Sequence, residues 1–157
     1  DKRPGGDAVP RGLERVKTSL ALSHESRVDA TLLDKRNQQE LATFYAERGR
    51  RLYEQEQDRE ALAELNRALF LAPYLAEAHV LTGRIHLRAG RVSEAADAFK
   101  IAIWSEETAA AHAALAAAHL EMKNVEAALD EARRALALDP GLVEASTVLD
   151  RAERGAR

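Results

Sequence analysis

One phrase of sequence occurs three times in this chain at a nearly constant interval. It reads EALAELNRALFLAP at Glu60–Pro73, and related stretches follow at Glu94–Ile103 and Ala127–Pro140. The same alanine of the phrase stands at Ala61, Ala95 and Ala128 in turn. A fixed period of about 34 residues, as here, is the signature of stacked helical repeats. The sequence therefore predicts an all-α solenoid.

Each copy of the phrase is preceded by another apolar helical pattern and a short turn, such as Ala89-Gly90-Arg91. Three helix–turn–helix repeats are predicted, at residues 41–75, 76–108 and 109–141. Pro73 and Pro140 close the first and third repeats, because proline cannot continue a helix. Residues 142–157 contribute one further amphipathic helix with a charged outer face and a short tail, which predicts a capping helix.

Residues 1–40 do not fit the repeat. Residues 1–12 contain two of the four prolines and three of the eight glycines, so they are predicted to be a flexible linker that cannot bury enough apolar surface to become ordered. Residues 13–40 are predicted to be an N-terminal helical extension that packs on the first repeat or reaches toward a partner. The polar stretch Asp34–Glu40 favours either a solvated helix or a bend between two shorter helices.

A minimal side chain stands at the centre of each first helix, at Gly49, Gly83 and Ala116. Glycine inside a helix costs about 1 kcal/mol relative to alanine, so its recurrence at the repeat period predicts a close helix–helix contact. We expect the facing alanines of the second helices to nest against these positions: Ala61, Ala95 and Ala128.

These features resemble the tetratricopeptide repeat (TPR) family, whose units of about 34 residues have a small residue in the first helix, Ala-x3-aromatic/Leu-x2-Ala in the second and a closing proline. The resemblance covers about residues 41–141. The chain departs from the pattern at His79 and His112, where the family often has a large residue such as Trp, and at Glu107, where it has Pro. The resemblance implies a right-handed superhelix whose concave face, lined by the first helices, binds a peptide or helix of a partner.

By the same resemblance, nine side chains are predicted to line the concave groove: Arg50, Tyr53, Val80, Arg84, Leu87, Arg88, Ala113, Ala117 and Leu120. The groove would be basic toward its N-terminal end and apolar toward its C-terminal end, which favours an acidic or acidic-apolar partner segment. The alternative is that the arginines are ordinary solvated charges. Chaperone-binding members use Lys and Asn to clamp a terminal carboxylate; here the matching positions hold Ala46, Arg50 and Leu81, so the clamp is not reproduced.

Two aromatic residues, Phe70 and Trp104, occupy equivalent places near the ends of the first two second helices. The helical wheel turns both away from the core of their own repeat. With Tyr74 and Ile101 they are open to two interpretations. Each ring could fold over the start of the next repeat, or the four residues could form a convex apolar interface for the N-terminal extension, another subunit or a partner.

The histidines and the bulk composition narrow the function classes further. His79 and His86 are seven positions apart, as are His112 and His119; this spacing separates their attachment points by about 10 Å, so we expect core residues and no metal site.

Catalytic triads, glycine-rich phosphate loops and cysteines are absent from the sequence, and we expect no cofactor. A net charge of −3 argues against nucleic acid, and no apolar run approaches the roughly 20 residues that span a bilayer.

The predicted function is therefore a non-catalytic protein–protein interaction module, an adaptor within a larger protein or complex. The alternative is a structural subunit whose groove is filled by its own N-terminal extension or by a second copy. The chain begins at Asp1 rather than Met, which suggests a piece of a longer protein, and its 18 arginines against 5 lysines are typical of a GC-rich, bacterial genome.

Overall fold

Seven α-helices form the part of the chain that the computed structural model describes, which is the backbone of residues 11–157 and the side chains of residue 27 and residues 30–157. The helices are α1 (Arg11–Glu54), α2 (Asp58–Leu71), α3 (Ala76–Arg88), α4 (Val92–Ser105), α5 (Ala109–Glu121), α6 (Val125–Leu138) and α7 (Val143–Gly155). The all-α solenoid predicted from the repeat is confirmed. Most of the predicted linker, residues 1–10, lies outside the described residues.

The chain divides into two compact units, Asp1–Gln38 and Gln39–Arg157. Helix α1 contributes residues to both, and Asp34–Glu40 are helical within it. In the first unit, the described side chains are exposed, including those of Leu32 and Leu33. None of the described helices is both long enough and apolar enough to span a membrane.

In the second unit, the helices pack in pairs, and the residues of α1 from 39 onward serve as the first helix of the first repeat. Its inward side chains share a core cluster with α2 and α3, built around Ala46, Leu65 and Ile85. Among the described helices, the first helices α3, α5 and α7 also contact one another in sequence, whereas the second helices α2, α4 and α6 do not. The first helices therefore lie on the inner, concave side of the curved stack, and the second helices lie on its outer side.

The small residue at the centre of each first helix is matched in size to one side chain of the second helix. A Cβ placed on Gly49 would lie 2.7 Å from Leu65 Cγ, and one placed on Gly83 would lie 2.7 Å from Phe99 Cδ1. The facing alanine Ala61 does lie against Gly49, with its carbonyl oxygen 3.4 Å from the same point, but the side chains that fill the space at the two glycines are those of Leu65 and Phe99. In the third repeat, Ala116 shares its core cluster with the smaller Ala132.

The turn inside each repeat uses the same backbone geometry three times. Glu56, Gly90 and Lys123 stand at equivalent positions and have φ values of 60°, 80° and 60°. The next residue donates its N–H across the turn, as Arg91 does to the His86 carbonyl (2.8 Å) and Asn124 to the His119 carbonyl (2.9 Å). This is the Schellman arrangement that ends a helix through a left-handed residue.

The junction between the second and third repeats is held by His112, which is only 2% exposed. Its Nδ1 lies 2.5 Å from Glu131 Oε2 on α6, and its Nε2 lies 2.9 Å from Glu107 Oε1 in the preceding turn. His112 and Glu107, which both depart from the repeat pattern, are thus hydrogen-bonded to each other. A polar contact stands where the family pattern has an apolar one.

Candidate functional site

Of the nine side chains predicted for the concave groove, eight are at least partly exposed. They are Arg50 and Tyr53 on α1, Val80, Arg84, Leu87 and Arg88 on α3, and Ala117 and Leu120 on α5. Ala113 is different. It is fully buried against Ala135 and Ala145, because the small residues of α5 let α6 and α7 approach closely, so it cannot contact a ligand.

Arg50 is surrounded by carboxylates. Its Nη1 donates to Glu54 Oε1 at 2.7 Å, its Nε donates to Glu47 Oε2 at 3.2 Å, and Glu77 Oε1 on α3 lies 3.9 Å away. The hydrogen bond to Glu47 raises the pKa of the Arg50 guanidinium, and the same bond lowers the pKa of Glu47. The positive charge at this end of the groove is therefore locally balanced.

Arg88 is fixed by three hydrogen bonds and one ring contact between the first and second repeats. It donates to Asp58 Oδ1 at 2.5 Å and Oδ2 at 3.0 Å, donates to the Tyr53 carbonyl at 3.3 Å, and places its guanidinium carbon 4.3 Å from the centre of the Tyr53 ring. The hydrogen bond to Asp58 raises the pKa of Arg88. Two predicted groove residues, Tyr53 and Arg88, are thereby brought together as one cation–π pair.

Arg84 makes the longest-range contact of the face. Its Nη1 and Nη2 donate to Glu144 Oε1 at 3.3 Å and Oε2 at 3.1 Å, which joins α3 to α7 across 60 residues of sequence. Helix α5 contacts both α3 and α7, so the ion pair passes over α5. Both side chains remain partly exposed, at 28% and 36%.

The repeat explains why Arg84 reaches so far. Arg50 and Arg84 are equivalent, and Arg50 lies near Glu77 at the start of the next first helix. The position equivalent to Glu77 on α5 is Ala110, and on α7 it is Glu144. Arg84 has no carboxylate at the adjacent position, so it bonds to the one a repeat further on. Sequence reasoning missed Glu144, although the periodic acidic residue at first-helix starts was a signal for it.

The four outer-face residues are all exposed. Phe70 is 87% exposed, Trp104 72%, Tyr74 64% and Ile101 39%. The rings of Tyr74 and Trp104 contact each other, with centroids 5.2 Å apart. The aromatic rings thus remain open to solvent instead of folding into the core of the following repeat.

Two of the other described histidines, His79 and His86, have hydrogen-bonding partners. His79 Nε2 lies 2.7 Å from the Pro73 carbonyl oxygen, and His86 Nδ1 accepts from Arg91 Nε at 2.9 Å. Burial lowers the pKa of His86 and of His119, and the Nδ1 atom of His119 is buried without a hydrogen-bond partner. Within the described residues, no group of three or more His, Asp or Glu side chains is arranged to hold a metal ion.

Among known proteins, solved structures resemble this chain in fold, whereas sequence comparison identifies no relative. No protein-family model matches the sequence, and no curated protein matches it. Solved structures do match. The first TPR of Spaghetti (RPAP3) bound to the HSP90 peptide SRMEEVD is similar at 19% identity and a TM-score of 0.72, over 75% of this chain and 94% of that one.

Two further structures show the same likeness. The Arabidopsis OM64 TPR domain is 19% identical with a TM-score of 0.71, over 74% of this chain and 98% of that one. YrrB, described as a TPR protein with an unusual peptide-binding site, is 22% identical with a TM-score of 0.62, over 71% of this chain and 63% of that one. The chain therefore has a TPR-like fold.

Proposed function

We propose that this chain, a TPR-like solenoid, is a non-catalytic protein-interaction module that binds an acidic-apolar segment of a partner along its concave face. The observation that carries the proposal is the pair of hydrogen bonds from Arg84 to Glu144. A carboxylate from a distant part of the chain already occupies the place beside the Arg84 guanidinium. A partner carboxylate would make the same two bonds there, since the planar guanidinium matches a carboxylate in shape.

The neighbouring side chains support an apolar component in the same ligand. Val80, Leu87 and Leu120 are partly exposed on this face. Arg50 and Arg88 are held in place by fixed carboxylates, so their guanidinium groups lose little rotamer freedom when a ligand binds, and preorganisation of this kind favours affinity. A segment that alternates acidic and apolar side chains would satisfy both kinds of group.

The ligand is proposed to differ from the chaperone tails that some TPR domains bind. The RPAP3 domain is seen with an HSP90 peptide that ends in EEVD. In this chain the clamp positions Ala46 and Leu81 are buried, at 2% and 7% exposure, and neither offers a donor. We therefore propose an internal segment, recognised through its side chains rather than through a terminal carboxylate.

The test is selection of a random dodecapeptide phage library on the intact chain. We expect the enriched peptides to combine Asp or Glu with Leu, Ile or Phe. Their affinity should fall at least tenfold for Arg84→Glu and rise severalfold for Glu144→Gln, which removes the competing carboxylate. Arg133→Glu, an exposed arginine of α6 on the outer side, is the matched control and should bind like the parent.

The same variants separate the proposal from its alternatives. If Arg84→Glu and the parent bound the selected peptides with equal affinity at low salt, the binding site would lie outside the concave face. Selection of no peptide by the intact chain would favour the structural-subunit alternative, in which the N-terminal extension or a second copy fills the groove.

A further inference from the structure

Two pockets lie along the outer side of the second unit, one repeat apart. The first pocket, about 500 Å³, is formed around Tyr45, Arg67 and Phe70. The second pocket, about 370 Å³, is formed around His79, Lys100 and Trp104. Residues from both helices of a repeat line each pocket, and none of the residues predicted for the concave groove is among them.

The two pockets are the same pocket built twice. Four lining positions recur with a shift of one repeat: Tyr45 and His79, Asn66 and Lys100, Arg67 and Ile101, Phe70 and Trp104. An exposed aromatic ring thus recurs in register with the fold. In the third repeat Ala137 takes the place of the aromatic ring, so the array of aromatic positions contains two members. Exposed hydrophobic patches of this kind mark interaction surfaces more often than scattered single residues do.

The charges around the pockets are one-sided. Among the described residues, no carboxylate lines either pocket, whereas Arg67 lines the first and Lys100 the second. Arg67 also donates to Glu64 Oε1 at 3.2 Å, so Lys100 is the less balanced of the two cations. The chain as a whole has a net charge of −3, whereas the charged side chains that line these pockets are positive. Lys100 also forms no ion pair in the part of the chain that the structure describes, although Asp97 lies three positions before it on the same helix. The surface therefore favours an acidic occupant.

We propose that the two pockets together bind a second partner segment, distinct from the one on the concave face. Two apolar side chains of that segment fill the pockets, and its acidic side chains contact Lys100 and Arg67. A second copy of this chain fits less well, because a two-fold contact through this surface would bring like charges together.

The fold also limits the spacing of the two apolar side chains. Helices α2 and α4 both pack on α3, and packed helix axes lie roughly 8–10 Å apart, so the axes of α2 and α4 are separated by at most roughly 20 Å. An extended peptide covers about 3.3 Å per residue, so two anchors in an extended segment are expected no more than about six residues apart.

Trp104, the sole tryptophan, provides the test. Because this residue is 72% exposed, we expect red-shifted emission that iodide quenches readily in the free chain. The probe is a panel of synthetic dodecapeptides that place two leucines two to nine positions apart in a Gly/Ser background containing either Glu or Lys. Peptides of the Glu series with spacings of about four to six should shift the emission to the blue and protect it from iodide.

Matched variants make the test specific. Phe70→Ser removes one anchor site but keeps the Trp104 reporter, and should weaken binding of the best peptide at least tenfold. Lys100→Gln should weaken the Glu series selectively. Leu138→Ser, an exposed apolar residue that lines neither pocket, and the groove variant Arg84→Glu should both bind like the parent, which separates this surface from the concave site.

Four outcomes would overturn the proposal. They are the absence of any emission shift at millimolar peptide, equal effects of the Glu and Lys series, and binding that is unchanged in Phe70→Ser. The fourth is a dimer in sedimentation equilibrium that disappears in Trp104→Ser, which would show that a second copy occupies the surface.

Discussion

The ring of Phe99 on the second helix of the second repeat packs directly on Gly83 of the first helix. Gly83→Ala should therefore destabilise the chain, by about 2 kcal/mol, because the added methyl overpacks a fully buried aromatic contact. In an ordinary helix the same change stabilises by about 1 kcal/mol, so the sign of the effect reports on the contact. Urea unfolding followed by circular dichroism measures it.

Ala116→Gly is the matched control in the third repeat, where the facing residue is the smaller Ala132. It should cost about 1 kcal/mol, the normal difference in helix propensity. A Gly83→Ala variant more stable than the parent would mean that the first and second helices are less closely packed than described.

The left-handed turn residues provide a second prediction. Lys123 has a φ of 60°, is exposed, and forms no ion pair within the described residues. Lys123→Gly should stabilise the chain by about 1 kcal/mol, because the left-handed conformation is strained for a residue with a Cβ and free for glycine. Gly90→Ala, at the equivalent turn, should destabilise it. Loss of stability in Lys123→Gly would contradict the turn geometry.

The buried bond between His112 and Glu131 provides a third prediction. Glu131→Ala should cost about 1–3 kcal/mol, because it leaves the Nδ1 atom of a buried imidazole without its partner. Glu107→Ala removes the other partner, but the Glu107 side chain is 62% exposed and water can replace it, so the loss should be smaller. Equal effects in thermal melts would mean that the junction does not depend on the α6 contact.

The pH dependence of stability provides a fourth prediction. Burial is the main cause that lowers the pKa of His119, so at mildly acidic pH the unfolded chain binds a proton more readily than the native chain. The contribution of His119 is present above the unfolded pKa of about 6.5 and is lost as the pH falls through the interval below it. The drop in unfolding free energy from pH 7.5 to 5.5 should be smaller in His119→Gln than in the parent.

Lys123→Gln, which removes a group that does not titrate in this interval, serves as the control for that experiment. It should show the same drop as the parent. If His119→Gln also lost as much stability as the parent between the two pH values, the imidazole would be protonated equally well in both states.

The sequence alone was sufficient for the features that depend on neighbours along the chain. The recurrence of Ala61 at Ala95 and Ala128, the turn at Gly90 and the closing Pro73 specify helices, turns and their order. These signals are local, because a helix face is set by spacings of three and four positions and a turn by one or two residues. The same register placed aromatic rings at equivalent outer positions of two repeats, although it left open whether the rings were buried.

Only the tertiary structure decided which side chains meet across the stack. It placed Leu65 and Phe99 on the glycines, buried Ala113 between α6 and α7, and paired Arg84 with Glu144 across 60 residues. Such contacts depend on how helices that are distant in sequence are spaced and rotated, and a periodic pattern does not contain that information. The sequence therefore predicts a basic concave face, whereas in the fold the arginines of this face are largely paired with carboxylates. The carboxylates that balance Arg84 and Arg88 come from other helices.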